Sequence, residues 1–316
     1  MPLLRSLVSF WGWFLQRYHA YGVRHLPRDR AVKTNVKRNP ARTDSKMKQP
    51  EKIPDQADEA PENNTRSHPM KSNLTMLALF DVLGFESRLN RMGLDGLSVA
   101  YDALIKVVQT MNGMMVIRPV PNDEGSFHPA IGFLRTGQTY FSDTIILWSD
   151  YDDFRLPAFC KMCCALMCES VRVGLPVRGA LSVGEAIMDS SSGVFLGMPL
   201  VEAARMEAAQ RWLGVSFGHS FSREPYNRQF DARLVMPYSQ HFKDEQVRQT
   251  PHLVLDWPRH WRQEKFGDLP AAISTLDIEP PFHDYYANTL AFVTHSEQQH
   301  DWFKHHQTQP STPTTA

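Results

Sequence analysis

The stretch LTMLALFDVLGF, residues 74–85, decides how this chain folds. It is apolar from Met76 to Phe80, carries one carboxylate at Asp81, and breaks at Gly84. A short unbroken apolar run with no 3.6-residue period reads as a strand buried on both faces. A carboxylate ending such a strand needs a partner or a ligand, because burying an unpaired charge costs several kcal/mol.

Outward from that strand, SRLNRMGLDGLSVAYDALIKVVQTMNGMM has helical spacing at Leu104, Val107, Val108 and Met111, and RPVPNDEGSFHPA reads as a Pro/Gly loop. IGFLRTGQTYFSDTIILWSD reads as two strands joined by a tight turn at Phe141-Ser142-Asp143. FRLPAFCKMCCALMCESVRVG is a predicted helix, VRGALSVGEAIM a strand, PLVEAARMEAAQ a short helix and WLGVSFGHSF a strand. DYYANTLAFVTHSEQQHDWF has helical periodicity at Tyr286, Leu290 and Val293. The β-α-β-β-α-β order predicts a ferredoxin-like α/β (α+β) sandwich with an antiparallel sheet and a C-terminal helical extension.

The 316 residues carry 34 basic and 34 acidic side chains, so the net charge of zero argues against a nucleic-acid partner. Cys160, Cys163, Cys164 and Cys168 sit within one segment and have no second pair to complete a zinc site, so they read as buried helix core. Residues 1–28 form an apolar, aromatic and basic segment whose apolar run is shorter than the ~20 residues a spanning helix needs. It reads as a docking helix or as upstream sequence, in preference to an interfacial membrane helix. Residues 29–73 are Pro-rich and charged, a predicted disordered linker; 74–222 form the folded domain, 223–306 an extension packed on it, and 307–316 a disordered tail. No signal peptide is evident, and the expected location is cytoplasmic. The histidines of the last helical stretch, His295, His300, His305 and His306, read as solvated surface.

In this topology the first strand and the following hairpin are neighbours, so Asp81 and Asp143 can converge. Two hard-oxygen ligands at strand ends suit Mg²⁺ or Mn²⁺ and leave coordination positions for phosphate oxygens. Taken singly, Asp81 reads as a helix cap and Asp143 as a turn residue. No basic residue lies near either in sequence. The amides of Leu83, Gly84 and Phe85, where the strand gives way to a helix, could receive phosphates. Arg205 reads equally as a phosphate ligand or a solvated helix-face arginine, and Arg178 as a structural strand residue. Tyr140 reads as a half-buried strand tyrosine or a base-packing side chain.

FDVLGF, FSDTIIL, VRGALSVGEAI and GMPLVEAARMEAAQ, in this order, resemble four motifs of class III nucleotidyl cyclases, over roughly residues 74–221. The resemblance implies a ferredoxin-like class III cyclase domain, two metal ions per site held by Asp81, Asp143 and the Val82 carbonyl, and Arg205 meeting transition-state charge. It implies substrate contacts at Phe80, Leu83, Gly84, Phe85, Tyr140 and Arg205. Within that superfamily the chain looks most similar to the bacterial Pycsar pyrimidine cyclases. The implied protein is a homodimeric lyase with its sites at the interface. It would convert UTP, a ribonucleoside triphosphate, into 3′,5′-cyclic UMP and pyrophosphate, for a cyclic-nucleotide-responsive effector in antiphage defence. Cytidylate and purine cyclases are alternatives, as are a cyclase-like sensor and a membrane-associated adaptor. Three departures stand out: Ser142 replaces a glycine, Thr139 a base-reading lysine and Val201 a ribose-orienting asparagine.

Overall fold

A computed structural model describes residues 70–121, 127–222, 233–245, 248 and 252–299. The N-terminal segment, nearly all of the predicted linker, the tail, and His300, His305 and His306 lie outside the described residues.

The deciding stretch forms β1, Asn73–Val82, buried at every residue from Thr75 onward. It runs between β5, Thr144–Asp150, and β6, Val177–Asp189, both antiparallel to it. Its successive side chains alternate between the two faces of the sheet and all are buried from Thr75 on, so β1 has no solvated face, and this accounts for its unbroken apolar pattern. β4, Gly137–Phe141, pairs with β5 across the predicted turn, and β7, Val194–Gly197, pairs with the far end of β6. The order β4-β5-β1-β6 is the ferredoxin-like arrangement the sequence predicts. The sheet continues through β8, Val215–Phe217, β10, Leu253–Leu255, and β9, Val235–Pro237. Among these pairings only β6 with β8 is parallel.

Helix α1, Phe85–Met111, buries Leu97, Ala100, Leu104 and Val108, and it is broken at Gly93, whose φ is 67°. Val107 and Met111, two of the predicted periodic positions, are half-buried. Helix α2, Leu156–Arg172, packs on α1 and buries all four cysteines as free thiols in the main core. Burial pushes the Cys163 and Cys164 thiols well above their ordinary value, as the core reading requires. Helix α3, Met198–Ala208, lies against β6 and β1. Three further helices, α4 (Trp257–Gln263), α5 (Leu269–Ser274) and α6 (His283–Gln298), close the C-terminal part.

Two expectations are corrected. Of the Pro/Gly "loop" at 118–130, residues 118–121 and 127–130 belong to an antiparallel ribbon, β2 (Met115–Pro121) with β3 (Phe127–Phe133), which also takes residues 131–133. Proline is excluded from central strands because it cannot donate to the ladder, but both strands of a two-stranded ribbon are edges. WLGVSFGHSF contributes only the three-residue β8, after which the chain turns through a short 3₁₀ helix, His219–Ser222. No helix among the described residues is long and apolar enough to cross a membrane.

Candidate functional site

Asp81 is the penultimate residue of β1 and only 4% exposed. The β1–β5 register sets it opposite Thr144, and the Val82 amide donates to the Asp143 carbonyl at 2.8 Å. The two aspartates therefore sit at the same end of two adjacent strands. The intervening turn passes through Ser142 at a φ of 53°, in the left-handed region. Tyr101 of α1 reaches this turn, its hydroxyl donating to the Ser142 carbonyl at 2.7 Å. Burial pushes the Tyr101 hydroxyl well above its ordinary value, and the charges of Asp143 and then Asp81 push it further, so both carboxylates act on one hydroxyl. The Tyr140 ring stands edge-on to Tyr101, centroids 6.2 Å apart; its hydroxyl donates to Gln138 Oε1, and burial pushes it up to about 12. Sequence reasoning missed Tyr101. The available signal was a polar aromatic three residues before Leu104, on the helix face that turns inward.

No basic residue lies near Asp81 in sequence, but the fold brings one to it from 97 residues away. Arg178 of β6 is its cross-strand neighbour, with Nη2 3.5 Å from Asp81 Oδ2. The same guanidinium pairs through Nε with Glu207 Oε1 of α3 at 2.6 Å. Through Nη1 it donates to the Gln210 carbonyl at 3.0 Å and to the Tyr285 hydroxyl at 3.4 Å. The Tyr285 ring lies 5.3 Å from the guanidinium carbon. Side-chain exposure is 5% for Arg178 and 1% for Glu207. Burial by itself lowers the Arg178 pKa, but Glu207 and Asp81 more than offset this and the net direction is upward. Planar guanidinium geometry suits this role, since one cation can serve several acceptors at once.

At the end of β1 the chain turns through Gly84 at a φ of 69°, and α1 begins at Phe85. Only glycine adopts this conformation without strain. The Leu83 amide is already committed to the Pro176 carbonyl at 3.0 Å, so the predicted cradle of three amides contracts to Gly84 and Phe85. Phe80 is wholly buried and its ring abuts Gly179, where a methyl group would come within 2.6 Å of it; its side chain serves the core, not a ligand. Val82 is likewise buried, so any contribution there is through backbone. Arg205 is exposed on α3, about 200° around the helix from Glu207. Its side chain therefore leaves α3 on the side away from Glu207, which faces Arg178 and Asp81.

Among the described residues no three His, Cys, Asp or Glu side chains come together as a metal cage. Asp81 and Asp143 give two hard-oxygen donors at adjacent strand ends. Such a pair fits Mg²⁺ or Mn²⁺ only where backbone or substrate oxygens complete the shell.

No protein-family model matches the chain, and no curated protein matches it. Among solved structures it is similar to a bacterial light-regulated adenylyl cyclase, with 12% identity and a TM-score of 0.39 over 60% of this chain and 52% of that one. It is similar to an adenylate cyclase from Trypanosoma brucei in its monomeric state, with 11% identity and a TM-score of 0.37 over 58% of this chain and 90% of that one. A class III adenylyl cyclase-like ATP-binding protein from Pseudomonas aeruginosa gives 13% identity and a TM-score of 0.32 over 57% and 37%. The chain spans about half the length of the first of these. The likenesses concern the fold, over part of each chain.

Proposed function

We propose that this chain is a nucleotidyl cyclase that converts UTP into 3′,5′-cyclic UMP and pyrophosphate. The observation that carries the reading is the convergence of Asp81 and Asp143 at adjacent strand ends, with both charges bearing on Tyr101. Two ions of Mn²⁺ or Mg²⁺ would be held by Asp81, Asp143 and the Val82 carbonyl, supplying Lewis-acid charge against the triphosphate. In the reaction the ribose 3′-oxygen bonds to the α-phosphorus in line as the bond to pyrophosphate breaks. Gly84 and Phe85 present backbone amides to the phosphates. Arg178 and Glu207 fix the orientation of Asp81. Arg205, exposed on the side of α3 away from Glu207, is assigned to the α-phosphate of a second copy, in a homodimer with its sites at the interface.

Pyrimidine preference rests on the resemblance and on two residues. Thr139 stands where a purine-reading lysine is expected, and Tyr140, edge-on to Tyr101, narrows the space beside the aspartates. A pocket fitted to one ring rejects a larger base by clash. The product would act on a cyclic-nucleotide-responsive effector in antiphage defence.

The test is incubation with Mn²⁺ and an equimolar mixture of the four ribonucleoside triphosphates, followed by mass spectrometry. Cyclic UMP is the expected main product, and cyclic CMP or a cyclic purine nucleotide would overturn the base assignment. Asp81→Asn and Asp143→Asn should each lower turnover by at least about a hundredfold, as loss of a main electrostatic contributor does. Full turnover by either variant would overturn the site.

A further inference from the structure

A segment from the C-terminal third of the chain lies over the glycine turn between β1 and α1. A methyl group on Gly84 would come within 3.1 Å of Glu279 Oε1 and 3.4 Å of the Phe282 ring. Neither side chain belongs to the β1–α1 region, and both are half-buried. The segment is fastened at both ends. On one side Arg88 Nη2 donates to the Asp277 carbonyl at 3.4 Å, and Arg91 forms an ion pair with the Asp277 carboxylate. On the other, Phe282 packs edge-on against Tyr285 at 5.9 Å, and Tyr285 lies on Arg178 of the Asp81 cluster.

The two contacts on the Asp277 side differ in strength. Arg88 is buried and held on three sides, donating also to the Leu83 carbonyl at 3.0 Å, the Gly174 carbonyl at 2.5 Å and the Tyr286 hydroxyl at 3.0 Å. The Arg91–Asp277 pair is exposed, and exposed pairs contribute little. The stretch between Asp277 and Phe282 carries Pro280 and Pro281, both exposed, and among the described residues Glu279 joins no group of three His, Cys, Asp or Glu side chains. Its carboxylate stands over the turn that the cyclase reading assigns to the phosphates. A carboxylate and a triphosphate cannot share that volume without strong like-charge repulsion.

We propose that Asp277–Phe282 is an autoinhibitory strap, with Glu279 covering the Gly84 turn until a polyphosphate displaces it. The proposal rests on the reading of that turn as the phosphate cradle. Binding would lift the strap between its Arg88 and Tyr285 anchors and leave both anchors in place. The guard would discriminate against weakly charged ligands, because only a highly charged one offsets the displacement.

The test uses the full chain with Mn²⁺ and the variants Glu279→Gln and Phe282→Ala, with two readouts. The first is the KM and kcat for cyclisation of UTP. The second is calorimetric binding of inorganic tripolyphosphate, which needs no turnover. Removing the Glu279 charge should lower KM about tenfold with kcat unchanged, and tighten tripolyphosphate binding by a similar factor. Phe282→Ala should move both quantities in the same direction. A KM and a tripolyphosphate affinity that stay fixed or weaken in Glu279→Gln would overturn the strap. If the unaltered chain makes no cyclic nucleotide, the cyclase reading falls and the tripolyphosphate readout alone decides the strap.

Discussion

Ser142 occupies the left-handed region at a φ of 53°, a conformation that costs a residue with a β-carbon about 1 kcal/mol. The hairpin requires it, since Tyr101 is hydrogen-bonded to the Ser142 carbonyl and Val82 to the next one. Ser142→Gly should therefore stabilise the fold, by about 0.5 kcal/mol after the extra freedom glycine gives the unfolded chain is subtracted. Urea unfolding monitored by tryptophan fluorescence would register this as a raised midpoint at constant slope, and a lowered midpoint would show that the turn is not held as described. The same position illustrates what a sequence discloses at this scale. Asp81 and Asp143 were legible because each interrupts an apolar strand pattern and the topology makes the strands neighbours. Arg178 was not, because its pairing with Asp81 depends on the register of a strand 97 residues away, and register does not show in composition. The contacts of Glu207 and Tyr285 with Arg178 were hidden for the same reason. Removing Glu207 alone would strip Arg178 of its closest counter-charge, and breaking one arm of a buried ion cluster costs about 3–5 kcal/mol.

Among the elements, the long ones were readable and the short ones were not. β1, α1 and α2 announce themselves through burial patterns many residues long. The β2–β3 ribbon was hidden by its prolines, and its apolar residues Met115, Ile117, Ile131 and Phe133 are exposed, so no core periodicity marked it. Helix α4 shows a different kind of element-scale effect. Its first turn is capped by Asp256, whose side chain accepts from the Arg259 amide at 3.2 Å, and its middle residue, His260, is buried. Burial lowers the His260 pKa below 6.5, so the folded state keeps the imidazole neutral while the unfolded chain takes up a proton. Stability is thus full above the unfolded value and is lost as pH falls from 6.5 towards the lower folded value. His241, which shares a 2.6 Å contact with the Tyr238 hydroxyl, is lowered by the same cause and adds in the same sense. Asp256, raised by burial, acts oppositely, its contribution falling as pH rises above 3.8. Between pH of about 7.5 and 5.5 the unfolded-state imidazoles take up their protons, so both histidines act in this range. The expected outcome is a Tm that falls across this range and a shallower fall in His260→Gln, read by differential scanning calorimetry. An identical slope in the variant would remove His260 from the balance.

At the scale of the molecule, the boundary the sequence suggests near residue 222 cuts through a shared sheet and a shared core. β8 pairs on one side with β6 and on the other with β10, so ending the chain at 222 would turn a three-residue interior strand into an edge. Trp212, wholly buried, has ring contacts at 5.5 Å with Tyr238, 4.9 Å with Phe242 and 6.4 Å with Phe292, all beyond that boundary. The backbone beside it depends on the same residues: the Leu213 amide donates to Thr289 Oγ1 at 2.8 Å, and its carbonyl accepts from Trp257 Nε1 at 3.0 Å. Cys168 of α2 lies 3.6 Å from the Trp257 carbonyl. Losing the packing around a single buried tryptophan costs about 3–5 kcal/mol, and a domain holds only about 5–15 kcal/mol in total. Two buried tryptophan environments and the sheet continuation cannot all be removed within that margin. A fragment of residues 70–222 is therefore expected to lack a cooperative thermal transition, while a fragment of residues 70–299 should melt in one step. Calorimetry and near-ultraviolet circular dichroism on the two fragments would decide it. A cooperative transition in the shorter fragment would mean that β9, β10 and the C-terminal helices are an addition to a self-sufficient domain and not a structural part of it.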